Sequence, residues 1–408
     1  MAPMAGVLAR QQLRDLVERG AISSDSDIPA EHFQPASLDL TLGKVAYRLR
    51  CSFLPGNRAV REKLLEYQMG ELDLEHGAVL EQDRPYLIPL NERLTLPAGI
   101  RGRANPRSST GRIDVFTRLV TDFGQHFDEV RDGYQGELFL EVVPRSFTIK
   151  VRTGLRLNQL RLSSGFARIS DAELVALSSA DPVAYPGTSM HAGERVFVAD
   201  GLFLSVDLSG EGGKLIGYKA RKSNALLDLD RIGAYDVTDF WERVIAKNKR
   251  LILDREDFYL LVSRERVRIP PGFAAEMAAY DPTSGELRTH YAGFFDPGFG
   301  HVQSGERPGT PAVLEVRAHD VPFALEHSQR LCKLTFERME TEPDELYGST
   351  SAIGSRYQRQ YLTLGRQFRA DTYGRAAGKR QRALEARPVP LELGTLESVQ
   401  PLAASLRE

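Results

Sequence analysis

Only two cysteines, Cys51 and Cys332, occur in 408 residues. They are too few and too far apart for a disulfide framework or a thiolate metal site, and they fit a reducing, cytoplasmic setting. Net charge is scarce too: 53 basic residues against 55 acidic ones leave −2, which argues against a protein that coats nucleic acid. No apolar run approaches the length that spans a bilayer, so no membrane partner is expected. The opening "MAPMAGVLARQQLRDLVERG" lacks a long apolar centre and a cleavage pattern, so it does not read as a secretion signal. It predicts a short amphipathic helix, with Val7, Leu8, Leu13 and Val17 on one face. The phosphate loop G-x-x-x-x-G-K-[ST] is missing as well. These absences leave a globular chain of ordinary hydrophobic content, long enough for two or three domains.

What is present is a repeat. "YLIPLNERLTLPAGIRG" (86–102) matches "YLLVSRERVRIPPGFAA" (259–275) in Tyr-Leu, Glu-Arg and Pro-x-Gly, at a shift of 173. "RLNQLRL" (156–162) matches "RLCKLTF" (330–336) at 174, and "ASLDLTLG" faces "LSVDLSG", with Asp39 against Asp207, at 168. Three matches in one order at nearly one offset indicate two copies of one domain.

Each copy reads as strand. "GELFLEVV" (136–143), "FTIKV" (147–151), "ERVRI" (265–269) and "AVLEVRA" (312–318) are short, rich in Val, Ile, Leu and Phe, and bounded by turns. The expected fold is mainly β: two tandem β-barrel or jelly-roll domains, over 1–170 and 171–345, with a few short helices. A helix is expected at "DVTDFWERVIAKN" (236–248), where Val237, Phe240, Trp241, Val244 and Ile245 follow helical spacing, with Asp236 or Asp239 as cap. A tail follows over 346–408. Its 347–368 stretch is rich in Gly, Ser, Arg and Gln, and its basic 374–387 stretch fits a solvated helix.

Three stretches can carry chemistry. In "NPRSSTGRIDV" (105–115), Ser108 and Ser109 lie between Arg107 and Arg112, with Gly111 among them. Guanidiniums and hydroxyls suit an anion, and the glycine permits close approach, although a polar turn has the same composition. In "DGYQGELFLEVV" (132–143), Gly133 and Gly136 bracket Tyr134, and strand alternation puts Glu137, Phe139 and Glu141 on one face. A carboxylate turned inward there would have its pKa raised by desolvation, which suits proton transfer; on an edge strand it would face water. The second copy lacks Arg-Ser-Ser at "AYDPTSGELR" (279–288). It carries instead the acidic turn "AGFFDPGFG" (292–300) and Glu315 where the first copy has Glu141.

Taken in order, "QPASLDLTLG", "LTLPAGIRGRANPRSSTGR", "DGYQGELFLEV", "AGFFDPGFG" and "YGSTSAIGSRYQRQ" resemble the dCTP deaminase branch of the dUTPase-like superfamily, and most of all its long, duplicated form. The resemblance spans about residues 30 to 368. It implies dUTPase-like domains and a homo-oligomer, with a trimer favoured and sites between neighbouring subunits. It implies hydrolysis of dCTP to dUTP and ammonia, with Mg²⁺ on the triphosphate and no nucleic-acid partner. By the resemblance, Ser108, Ser109 and Arg112 contact the nucleotide and the reacting water, with Arg107 and Tyr134 beside them. Glu141 falls on the catalytic glutamate, Asp296 on the acidic turn, and Arg356, Tyr357, Gln358 and Gln360 on the tail that closes over the nucleotide. Zinc deaminases need an H-x-E…P-C-x-x-C pattern; no histidine here begins H-x-E and no C-x-x-C occurs, so zinc-independent chemistry is expected.

The chain departs from the single-domain pattern. The first half has "VRDG" (130–133) where those proteins have Ile-Asp-Pro-Gly, and the second half keeps "FDPG" and Glu315 without Arg-Ser-Ser. Two arrangements follow: a composite site in which Ser108, Ser109 and Arg112 meet Asp296, Glu315 and the tail, or a first-half site with Glu141 as base. Alternative functions are dUTP diphosphatase, a bifunctional deaminase-diphosphatase, and a nucleotide-binding regulator without catalysis.

Overall fold

Runs of β-branched and aromatic residues between Gly, Pro and polar turns fold as strands here, because such side chains pack well on a pleated surface. The computed structural model describes residues 5–191, 193–210, 215–222, 225–245, 248–279, 287–289, 293–301, 308–349, 357–358, 360–371 and 387–394. The first half provides β1 (Ser37–Thr41), β2 (Val45–Leu49), β3 (Gln68–Asp73), β4 (Tyr86–Thr95), β5 (Ile100–Pro106), β6 (Val115–Thr121), β7 (Gln135–Pro144) and β8 (Arg156–Ser164). The second provides β9 (Leu202–Ser205), β10 (Leu215–Ala220), β11 (Trp241–Ile245), β12 (Phe258–Val267), β13 (Phe273–Ala279), β14 (Leu287–Thr289), β15 (Thr310–Ala318) and β16 (Arg330–Arg338). First-half sheets carry the orders β5-β8-β1 and β6-β7-β4-β2-β3; second-half sheets carry β13-β16-β9 and β14-β15-β12-β10-β11. The repeat seen in the sequence is therefore a repeat of strand pairing, each strand answering the one eight places earlier.

Among the described residues, five short α-helices accompany the sheets: α1 (Arg10–Glu18), α2 (Val60–Tyr67), α3 (Ser108–Gly111), α4 (Asp171–Ala180) and α5 (Val237–Phe240). Two expectations are corrected. The first helix starts at Arg10 and buries Leu13 and Leu16, while Val7 pairs with Ser163 as a short strand before it. The 236–248 helix stops after one turn, and Trp241–Ile245 becomes β11, paired with β10. Trp241, Val244 and Ile245 favour strand, and pairing with β10 overrides their helical spacing. Asp236 makes no capping hydrogen bond; its carboxylate takes Arg369 at 2.7 Å instead. The basic stretch at 374–386 lies outside the described residues. Among the described residues, no helix is long and apolar enough to cross a membrane.

Strand alternation decides which faces meet. In β7, Leu138, Leu140 and Val142 enter the first core, and Phe139 packs on the opposite face with Phe53, Val60 and Leu64 beneath α2. In β15, Leu314 and Val316 enter the second core, while Val313 on the opposite face joins the first core along with Tyr218, Phe258 and Leu260. The second half thus lays the outer face of its sheet against the first half. Phe147 meets Phe240 and Trp241 edge-on at 5.4 and 5.5 Å, and Trp241 meets Phe368 at 6.0 Å. Buried ion pairs cross the same boundary, Arg317 with Asp114 and Arg161 with Asp296.

Candidate active site

The Arg-Ser-Ser segment sits at the end of β5. Pro106 closes the strand, Arg107 stays extended, and Ser108–Gly111 makes one helical turn, with the N–H groups of Thr110 and Gly111 donating to the carbonyl of Arg107. This turn lines a cavity of ≈ 190 Å³ between the two halves. Arg107, Ser108, Ser109, Gly111 and Arg112 come from the first half; Asp296, Glu315 and Tyr347 come from the second; Tyr357, Gln360 and Arg366 come from the tail. Residues marked in the sequence on separate stretches thus line one cavity, among them Ser108, Ser109, Arg112, Asp296 and Glu315.

Glu315 is 8% exposed and lies directly against Gly111. Its carboxylate fills the place that a Cβ at Gly111 would need, which gives this glycine a steric reason. Burial pushes the Glu315 carboxyl well above the usual range; Arg112 opposes this shift and Asp114 adds to it. Arg112 is itself buried. Its guanidinium stacks 3.9 Å from the Tyr357 ring centre, and its Nη1 donates to the carbonyl of Thr363 at 2.5 Å. Stacking and donation together fix the plane of the fork.

Asp296 is buried, and burial raises its pKa against the pull of Arg161, whose Nη2 lies 3.1 Å away. Arg161 stacks 4.0 Å from the Phe294 ring centre, so the acidic turn is clamped from β8 of the other half. The Gln358 side chain does not line the cavity. It ties the tail to the acidic turn, donating to the carbonyls of Gly298 at 2.8 Å and His301 at 2.9 Å and accepting from the N–H of Gly300 at 3.1 Å. Gln360 lines the cavity and donates to the carbonyl of Pro311 at 3.4 Å. Arg356 lies outside the described residues.

Two further residues marked in the sequence lie elsewhere. Tyr134 is fully buried in the first core. Its hydroxyl donates to the carbonyl of Glu137 at 2.6 Å and accepts from the N–H of Asp122 at 3.1 Å, pinning the turn in which Gly133 has φ 63°. Glu141 is also buried, but it does not line the cavity. It faces Arg118 at 3.7 Å, and burial raises its pKa while Ser52 and Arg118 lower it. Ser52 belongs to the 50–67 connection between β2 and β3, whose helix α2 covers this face of the first sheet.

The sequence reading missed Asp39, Tyr347, Phe294 and Arg366, all of which line the cavity. Asp39 was visible only as a match between repeats. Arg366 follows Gly365, which packs against Ile113, and that pairing of a glycine with an arginine in the tail was the available signal.

Known proteins resemble the chain along its length. The family of 2'-deoxycytidine 5'-triphosphate deaminases is matched twice, its N-terminal domain at residues 4–166 and its C-terminal domain at 171–368. The crystal structure of 2'-deoxycytidine 5'-triphosphate deaminase from Agrobacterium tumefaciens superimposes with a TM-score of 0.77 at 47% identity, over 82% of this chain and 99% of that one. Among curated proteins, a dCTP deaminase of Ignicoccus hospitalis is 26% identical over 119 residues, 29% of this chain. A "dCTP deaminase, dUMP-forming" of Halobacterium salinarum is 29% identical over 133 residues, 32% of this chain. The chain spans 61% and 63% of the length of these two curated relatives.

Proposed function

The chain belongs to the 2'-deoxycytidine 5'-triphosphate deaminase family, and on that premise we propose that it hydrolyses dCTP to dUTP and ammonia at the cavity between its halves. The observation that carries the reading is the contact of Glu315 with the Arg-Ser-Ser turn: a buried carboxyl of raised pKa beside a buried guanidinium and two hydroxyls. A carboxyl held near its protonated state gives its proton to cytosine N3 and takes one from water as the water oxygen adds to C4. It then returns that proton to the amine as the C4–N bond breaks and receives the remaining hydroxyl proton, which restores the acid. Arg112, Ser108 and Ser109 hold the water and the developing charge in a preorganised polar wall. Asp296, Tyr357 and Gln360 shape the base pocket, and Gln358 holds the tail in place.

Mg²⁺ would come to this site with the triphosphate, where it would offset part of the phosphate charge. The carboxylates Asp39 and Asp296 are already engaged by Arg107 and Arg161, so this chain offers arginine to the nucleotide rather than a carboxylate cage to the metal. In this reading the strands form dUTPase-like barrels, and the protein works as a homo-oligomer in the cytoplasm. The name of the Halobacterium relative supports a second reading, in which deamination is coupled to release of pyrophosphate. Purified chain given dCTP and Mg²⁺, without added zinc, is expected to yield ammonia and dUTP in equal amounts. Pyrophosphate with dUMP would select the coupled reaction. Tight binding of dCTP without any product would overturn both readings.

A further inference from the structure

Two pairs of opposite charge bridge the halves side by side, in reversed sense. Arg112 of the first half acts on Glu315 of the second; two residues further on in each segment, Asp114 of the first half pairs with Arg317 of the second. Strand alternation puts Val313, Glu315 and Arg317 on one face of β15, the face laid against the first half. Asp114 and Arg317 are buried, and neither lines the cavity.

Asp114 is fixed from several sides. Its carboxylate accepts from Arg317 Nη2 and from the hydroxyl of Ser146. Its N–H donates to the carbonyl of Gly111 at 2.9 Å, and its own carbonyl accepts from the N–H of Arg145 at 2.9 Å. Its φ of 55° is left-handed, a conformation that aspartate adopts more readily than most residues. Arg317 is held from behind: Nη1 donates to the carbonyl of Glu256, whose carboxylate lies 3.6 Å away. That carboxylate is 3.0 Å from His319 Nδ1 and accepts from Arg145 at 3.3 Å.

A buried ion pair adds little stability over apolar side chains of similar volume. The effect of this one lies in its placement. Arg112 favours the ionised form of Glu315, which cannot give a proton to cytosine N3; Asp114 works against it. The cavity also carries Asp39, Asp296, Arg107 and Arg366, but Arg112 and Asp114 are the two charges that act on Glu315. Its partner on β12, Leu260, is uncharged.

We propose that Asp114 and Arg317 are positioning residues for the reaction: their ion pair docks the Arg-Ser-Ser turn on β15 and presents Glu315 with a negative charge beside the positive one of Arg112. This assignment rests on the deaminase reading of the cavity. In that reading the protonated Glu315 starts the reaction, so kcat falls as pH rises through its titration.

The pH profile of kcat for ammonia release tests the pair. Asp114→Asn is expected to move the falling limb to lower pH by about one unit. KM for dCTP should change little, because neither side chain lines the cavity. Arg317→Lys keeps the charge and should keep the limb in place. Asp114→Asn combined with Arg317→Gln leaves no unbalanced buried charge; its limb should lie between those of Asp114→Asn and the wild type, and it carries the test if the single variant does not fold. A limb that stays put in both asparagine variants, or that moves as far in Arg317→Lys, would overturn the proposal and leave the pair a structural clamp. An independent readout is the infrared band of a protonated carboxyl that disappears in Glu315→Gln, followed against pH in the same variants. Absence of ammonia from the wild-type chain would sink the deaminase reading, and the shift of that band would still judge the pair.

Discussion

Glu141 and Glu315 hold equivalent places on β7 and β15, both are buried, and burial raises the pKa of both. A perturbed carboxyl therefore does not by itself mark the base; what it faces does. Glu315 faces Arg112 and the serine turn, whereas Glu141 faces Arg118 and Ser52 under α2. Glu315→Gln is expected to lower kcat by about 10²–10⁴-fold, the usual range for a lost general acid-base group. Glu141→Gln should leave kcat near that of the wild type. A reversed pair of results in the ammonia assay would move the base to the first half. The same carboxyl also links stability to pH. Its folded pKa lies above its unfolded one, so its contribution is fully present below the unfolded value and is lost as pH rises through the folded value. Glu315→Gln removes that loss. Its melting temperature should exceed that of the wild type at neutral and higher pH, with the gap closing near pH 4; a gap constant across pH would refute the linkage.

At the scale of elements, the site is a turn, a strand and a tail brought into register. The α3 turn positions its hydroxyls only because Gly111 leaves room for Glu315 from β15. Gly111→Ala puts a methyl group where the carboxylate lies, and Glu315 must move. A shift on the order of 1 Å can cost about 10²-fold in rate, so kcat should fall steeply while the melting temperature changes little. Wild-type activity in that variant would show that the contact does not matter to the chemistry. These elements were unequally legible in the sequence. The strands, their repeat and the Arg-Ser-Ser turn were readable because alternation and turn residues are local signals. The end of the α5 helix was not, since Trp241 and Val244 satisfy either period and only pairing with β10 selects strand. Nor was the choice between Glu141 and Glu315, because it depends on which sheet face α2 covers and which one the other half covers. Arg366 was hidden for the same reason: its place in the cavity lining depends on where a distant tail packs.

For the whole molecule, duplication has placed the two contributing surfaces of the cavity in one chain, and the core follows the same plan. The first core contains Phe147 and Leu140 from one half and Tyr218, Trp241, Phe258 and Leu260 from the other, with Phe368 from the tail. Neither half could bury these faces alone. Separating the halves would also break the ion pair of Arg317 with Asp114, both of which are nearly inaccessible. The halves should therefore unfold together. Scanning calorimetry of the full chain is expected to give a single transition with loss of activity at the same temperature. Trp241, 1% exposed at the centre of the shared aromatic cluster, is the sharpest probe of that coupling. Trp241→Ala should cost about 3–5 kcal/mol, the range for deleting a large buried aromatic, and should shift the whole transition downward. Its ring partners Phe147, Tyr218, Phe258 and Phe368 do not line the cavity, so kcat below the new transition should stay close to the wild-type value. Two resolved transitions, with activity surviving the first, would mean that the halves are independent bodies and that the cavity between them does not need their common core.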